Sequence, residues 1–298
     1  MPAVTLTAGT VHYEKSGPPA GRPIVFIHGY AMGSSLWRPL TERLSARGFT
    51  TFAPTWPLGA HTEAMGDRSK LTMEGIAAQV NEFCEALELT DVVLVGNDTG
   101  GAIAQIVATT TPARLGALVL TSCDAFEHFP PPILKPFIAA ARFRPAFRAA
   151  LEPLRTKLAR RRAYGALAHT DIEPLAAEWV KPALSDSGVR EDLRRFTASL
   201  DRETTIRAAA RLGEFTRPVL IAWSADDAFF PVDDGCRLAD ALPGGRFELI
   251  ERARTFSMID RPDALADLIA GFAGASDRSL SAYAAEGESA AAVPHPRR

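Results

Sequence analysis

The segment Val93-Leu94-Val95-Gly96-Asn97-Asp98-Thr99-Gly100-Gly101-Ala102-Ile103-Ala104-Gln105 constrains this chain more than any other. A β-branched apolar run enters it, a helix-forming run leaves it, and only Gly-Asn-Asp-Thr-Gly separates the two. Glycines on both sides of Asp98 let the backbone take a sharp turn that a Cβ would obstruct, so the central side chain is lifted to the mouth of a sheet. The helix that follows begins with unpaired N–H groups, which favour negative charge nearby. Asn-Asp-Thr-Gly is also a plain helix N-cap, so the rest of the chain has to decide what the turn is for.

Short apolar β-branched runs alternate with longer helical patterns, which predicts parallel βαβ units. The strands are expected at Ile24 to Ile27, Thr50 to Ala53, Val92 to Val95, Leu118 to Thr121, Val219 to Trp223 and Arg246 to Ile250. Their near-continuous apolar character is that of parallel strands covered on both faces. Period-two alternation in Thr5 to Lys15 predicts an antiparallel edge. Helices are expected at Met73 to Leu87, Gly101 to Thr110, Asp233 to Leu242 and Pro262 to Phe272. From Asp124 to about Phe215 strand signals vanish and helical spacing, broken by prolines, takes over. Residues 1–123 and 216–273 thus read as two parts of one core, 124–215 as a helical cap inserted after the strand at Leu118 to Thr121, and 274–298, rich in Ala, Ser and Gly, as a disordered tail containing His295.

Within the cap, Lys135 to Arg162 carries nine basic residues against one acid, Glu152. Solvated helix faces explain such a run more simply than a site for an anionic ligand. Over the whole chain 33 basic and 35 acidic residues leave a net charge of -2, so no global field attracts nucleic acid or an acidic membrane. No apolar run approaches the length that spans a bilayer, and the N-terminus lacks a signal-peptide pattern. Cys84, Cys123 and Cys236 are odd in number and widely spaced, as in a reduced, cytoplasmic protein. No metal-ligand spacing or dinucleotide or phosphate loop is present, so no cofactor is expected, and the partner is a small-molecule substrate.

Two further features converge on the turn. His28-Gly29-Tyr30 directly follows the strand at Ile24 to Ile27, where the N–H of Tyr30 can aim at the same point as that of Thr99 and form an oxyanion hole. His28 itself is expected to hold the loop. Asp227 falls at the end of a late strand, in Trp223 to Pro231, where an orienting acid is placed.

On these residues the chain resembles the α/β-hydrolase superfamily, in particular its aspartate-nucleophile branch of haloalkane dehalogenases and epoxide hydrolases. The resemblance covers Pro23 to Phe272 and implies a mostly parallel central sheet flanked by helices, with a helical cap inserted after strand 6. It assigns Asp98 as nucleophile, Asp227 as triad acid and Asp124, just after Leu118 to Cys123, as the alternative acid position. Leu36-Trp37-Arg38 follow the family's His-Gly loop, which puts Trp37 with Gly29, Tyr30, Thr99 and Thr255 among residues expected to form the oxyanion hole or meet substrate. The departures are as informative. Thr255 stands where the family carries its catalytic histidine, in Ala253 to Pro262. Thr99 and Tyr30 replace the halide ligands of the dehalogenases, Ala31 replaces the epoxide hydrolases' proline, and the cap holds only Tyr164.

An aspartyl ester needs a base to release it, and threonine is not one. Either another histidine has taken over, with His61 and His128 the candidates and Asp124 placed to orient His128, or Asp98 acts as a carboxylate base or anchor. His12, on the edge strand, and His169, in a cap helix, have less support. Two classes of function remain: a hydrolase of a small apolar ester or epoxide, or a lyase, isomerase or ligand-binding pseudoenzyme on the same scaffold.

Overall fold

The computed structural model describes residues 1–274, so the expectation for the tail falls, beyond its first residue, outside the described residues. Strands β1 (Ala3–Thr5), β2 (Thr10–Ser16), β3 (Pro23–Ile27), β4 (Thr50–Pro54), β5 (Val92–Asp98), β6 (Leu115–Cys123), β7 (Val219–Ser224) and β8 (Gly245–Ile250) form one sheet in the order β1-β2-β4-β3-β5-β6-β7-β8. Only the β1–β2 and β2–β4 pairings are antiparallel, which is the edge that period-two alternation predicts. From β4 to β8 all pairings are parallel.

The pleat divides the core. Val25, Ile27 and Leu94 enter one apolar cluster, while Ile24, Phe26, Val93 and Val95 enter another on the opposite face. Two-sided burial of this kind is why these strands lack polar alternation. Helices α1 (Arg38–Ala46), α2 (Met73–Ala86) and α3 (Thr99–Thr110) precede β6. Then α4 (Lys135–Ala140), α5 (Arg144–Leu151), α6 (Lys157–Tyr164), α7 (Glu173–Ser185), α8 (Ser187–Ala198) and α9 (Arg202–Ala209) all lie between β6 and β7. They are followed by α10 (Val232–Ala241), α11 (Ser257–Asp260) and α12 (262–274). Among the described residues no helix is long and apolar enough to cross a membrane.

Much of the basic run in the helical segment is occupied by ion pairs: Arg155 meets Glu152, Arg160 meets Glu173 and Arg161 meets Asp171. His169, expected in a helix, lies instead in the bend between α6 and α7. There Asp260 accepts the N–H groups of His169 and Thr170, and Asp171 accepts that of Glu173, so side chains take the donors a helix would use. The edge histidine His12 lies on β2 and meets Glu63 at 2.7 Å.

Candidate active site

The passage from β5 to α3 turns on a single residue. Asp98 has φ 55° and ψ -136°, a region that side-chain-bearing residues seldom occupy. Such strain costs on the order of 1–3 kcal/mol and persists where surrounding structure over-determines it. Here Gly100 packs against the end of β3, so that a Cβ on it would fall 2.2 Å from the carbonyl oxygen of Ile27. A Cβ on Gly29 would fall 2.1 Å from Asp98 Oδ1. The bare backbone at Gly29 is therefore what lets the loop after β3 close over the carboxylate.

That closeness creates the main polar feature. The N–H of Thr99 donates to Asp98 Oδ1 at 2.7 Å and the N–H of Tyr30 donates to the same oxygen at 3.2 Å. The two donors expected to form an oxyanion hole thus converge on the carboxylate itself. Burial raises the pKa of Asp98, opposed by these N–H groups and the Thr99 hydroxyl and assisted by the charge of Asp227. His28 is a latch. Its Nε2 accepts the N–H of Trp56 at 2.9 Å, so Nδ1 carries the proton and donates to the carbonyl of Gly29 at 3.0 Å. Burial pushes its pKa down to about 4, which keeps it neutral.

Asp124 lies beside this pair. Its Oδ2 accepts the Thr99 hydroxyl at 2.9 Å and its N–H donates to the Asp98 carbonyl at 3.3 Å. Burial first, and the negative charge of Asp98 second, push its pKa well above the carboxylate range. Asp227 is held through one oxygen: Oδ1 accepts the N–H groups of Phe229 and Phe230 at 2.8 and 3.0 Å and the hydroxyl of Thr255 at 3.0 Å. Among the described residues its buried Oδ2 has no hydrogen-bond partner, and burial raises the Asp227 pKa. The Thr255 carbonyl accepts from the Asn97 amide at 3.0 Å, so the late loop is tied to the turn itself.

Neither candidate histidine makes a hydrogen bond to these acids. His61 is buried, with Nδ1 accepting from the N–H of Gly59 and Nε2 donating to Asp192 at 3.2 Å. His128 bonds through Nδ1 to Asp234 at 2.6 Å, not to Asp124 as its spacing implied. Phe126, with φ 51°, turns the chain between them, so residues 124 and 128 are not one helical turn apart. Trp37 also departs from expectation. It is fully buried, stacks on Phe26 with ring centroids 4.7 Å apart and lines no part of the site cavity, because the short helical turn Ser34–Trp37 directs it into the core.

That cavity, of about 120 Å³, has Asp98, Thr99, Asp124 and Tyr30 at its polar end. Leu134, Phe137, Leu151, Leu154, Tyr164 and Leu167 of the helical segment, with Phe229 and Phe230, supply apolar wall. Among the described residues no Lys, Arg or His lines it. Tyr164 donates to the Ala31 carbonyl at 3.0 Å, and the Tyr30 hydroxyl meets Thr197 of α8 at 2.7 Å. Apart from Tyr164, no local signal in the sequence singles out these wall residues, whose amphipathic spacing marks them only as helix faces.

Gly29→Ala is expected to lower turnover about a hundredfold or more, since a displacement of 1 Å at the reacting group can cost that much. The cost should fall on kcat, measured beside a thermal melt that shows the protein still folded.

A carboxylate raised on a strained strand-to-helix turn, over an open parallel sheet and under inserted helices, defines a class of α/β enzymes built around that turn. The chain belongs to the alpha/beta hydrolase fold family, whose model matches residues 22–262. It is 26% identical over 274 residues to a 2-hydroxy-6-oxononadienedioate/2-hydroxy-6-oxononatrienedioate hydrolase of Dechloromonas aromatica, covering 88% of this chain and 90% of that one. Its fold is similar to that of a haloalkane dehalogenase of Bradyrhizobium elkani, with a TM-score of 0.75 and 16% identity over 93% of this chain and 97% of the other. The epoxide hydrolase CorEH is similar too, with a TM-score of 0.73 and 19% identity over 91% and 96% of the two chains. At these identities the two structures speak for the fold alone.

Proposed function

We propose that the protein is a hydrolase of small, neutral, apolar electrophiles, of the epoxide or ester type, in which Asp98 attacks as the nucleophile under a cap formed by residues 124–215. The observation that carries this reading is the pair of N–H donors on Asp98 Oδ1. When water adds to an Asp98 ester, negative charge develops on that oxygen, and the donors are already in place to stabilise it. An epoxide suits a carboxylate nucleophile better than an ester, because ring opening gives an alkyl ester whereas attack on a carboxylic ester gives a mixed anhydride.

Charge narrows the substrate further. The curated relative is named for a dioate, but the cavity here offers Asp98 and Asp124 and, among the described residues, no basic one. A buried carboxylate pair with a negative charge repels an anion, and burying an unpaired charge is costly. A neutral substrate is the class that fits.

A second reading is favoured by one contact. Thr255 occupies Asp227 Oδ1, so the acid orients no histidine, as in a lyase or isomerase that uses Asp98 only as a base. A single turnover with enzyme in excess in heavy-oxygen water separates the two. The nucleophile reading expects label in the Asp98 carboxylate and none in the first product. Label in the product with none in Asp98, or label in neither, would sink it.

A further inference from the structure

The nucleophile still lacks a partner to activate the water that frees it. We propose that Asp124 is that partner: it protonates the oxygen released when Asp98 opens the ring, then takes a proton from the water that hydrolyses the Asp98 ester, while the Thr99 hydroxyl holds it in place. This inference rests on the reading of Asp98 as a nucleophile.

Geometry makes the case by elimination among the described residues. Asp98 and Asp124 line the same small cavity, and Thr99, the residue that follows Asp98, bonds Asp124 Oδ2 at 2.9 Å. The Asp124 N–H on the Asp98 carbonyl fixes the two backbones relative to each other. The other titratable groups lining the cavity, Tyr30 and Tyr164, have hydroxyls engaged by Thr197 and Ala31. His61 and His128 bond acids elsewhere, and Asp227 does not line the cavity.

The two carboxylates are not equivalent. Two neighbouring carboxylates in a desolvated site share one proton, because both cannot easily ionise. Asp98 accepts two backbone N–H groups on Oδ1, which favour its charged form, while Asp124 accepts only a hydroxyl. The proton therefore resides on Asp124, in line with a pKa raised by burial and by the charge of Asp98. Esterification removes that Asp98 charge. Asp124 is thus an acid while Asp98 is a free carboxylate and becomes a base once Asp98 is an ester, so the reaction itself times the switch.

The steps balance. Asp98 forms a C–O bond to a ring carbon, the ring C–O bond breaks, and the alkoxide takes the Asp124 proton. Asp124 carboxylate then removes a proton from water, whose oxygen adds to the Asp98 carbonyl carbon. Collapse expels the diol oxygen, which picks up the proton left on the Asp98 acid. Asp98 ends as carboxylate, Asp124 as acid, and one epoxide and one water have become one diol.

The test uses 1,2-epoxybutane, with steady-state turnover and the intact mass of acid-quenched enzyme as readouts. Asp124→Asn is expected to lower turnover about a hundredfold or more, the usual worth of a positioned acid or base, and, because its amide N–H can still hydrogen-bond the opening ring oxygen but cannot take a proton from water, to accumulate protein heavier by one epoxide. Thr99→Val keeps both carboxylates and is expected to prolong the same adduct, with Thr99→Ser restoring the wild-type lifetime; this pair decides the matter if the Asn variant does not fold. Wild-type turnover in Asp124→Asn, loss of turnover without adduct, or a Thr99→Val adduct that decays at the wild-type rate would each overturn the role of Asp124. A wild type that never carries an adduct, or an active Asp98→Asn, would instead overturn the nucleophile reading beneath it.

Discussion

Asp98→Asn is expected to lower turnover by about 10⁴-fold or more, the scale seen when a covalent nucleophile is removed. The amide oxygen can accept the N–H groups of Thr99 and Tyr30 as Oδ1 does, so the turn keeps its shape. On the proposed role of Asp98 the lost function is then chemical, since an amide is a poor nucleophile. Stability should move the other way. Burial raises the folded-state pKa of Asp98 above its unfolded value, so its contribution to stability is present below the unfolded pKa, about 4, and is lost as pH rises through the folded one. The Asn variant escapes that loss and should melt higher than wild type at neutral pH, with the gap closing as the pH falls toward 4. Activity assays and pH-resolved melting curves check both parts. A variant that keeps full activity would remove Asp98 from the mechanism.

The central turn was legible because glycine leaves a mark in the sequence that its neighbours explain. Gly96 and Gly100 flank one polar residue between a strand and a helix, and Asp98 does carry the positive φ on which the turn depends. The parallel sheet was legible for a related reason, since uninterrupted apolar runs such as Val92 to Val95 have no other economical burial. Their ends were less so. β5 runs on to Asp98 and α3 begins at Thr99, because the change of direction is confined to one residue and not spread over the whole Gly-Asn-Asp-Thr-Gly stretch.

The partners of the histidines were beyond reach. His61 meets an acid 131 residues away and His128 one 106 residues away, and no local spacing encodes either contact. The sequence distance from Asp124 to His128 suggested an orienting pair, but that inference assumed a helical turn where the chain instead bends at Phe126. Asp124 shows the opposite case. Its place at the end of β6 was readable, whereas its bond to Thr99 depends on how two strand ends lie side by side. Thr255 divides in the same way: a threonine where the resemblance expects a histidine is visible in the sequence, and the bond of its hydroxyl to Asp227 only in the fold.

Asp192→Ala is expected to cost about 3–5 kcal/mol, the range for breaking a buried ionic cluster by deleting one partner. Asp192 is fully buried on α8 and accepts from Nε2 of His61 at 3.2 Å, the N–H of Met65 at 2.7 Å and Nε of Arg68 at 2.5 Å. Those three donors come from the loop after β4, so one carboxylate fastens the inserted helices to the sheet's carboxyl edge. Removing it leaves a buried N–H and a guanidinium without their acceptor. Burial alone would raise the Asp192 pKa, yet the bonds from His61, Arg68 and Met65 outweigh it and hold the pKa below its ordinary value. A depressed folded-state pKa gives stability that is present above the unfolded value, about 4, and is lost as pH falls through the folded one. Asp192→Asn, which keeps the shape without the charge, should therefore lie well below wild type in melting temperature at pH 7 and approach it in acid. Because α8 also carries Thr197, the partner of Tyr30, loosening this fastening should disturb the loop that donates to Asp98. A fall in kcat in Asp192→Asn at temperatures where the protein remains folded would show that coupling, and a variant as stable as wild type at pH 7 would show that the cluster fastens nothing.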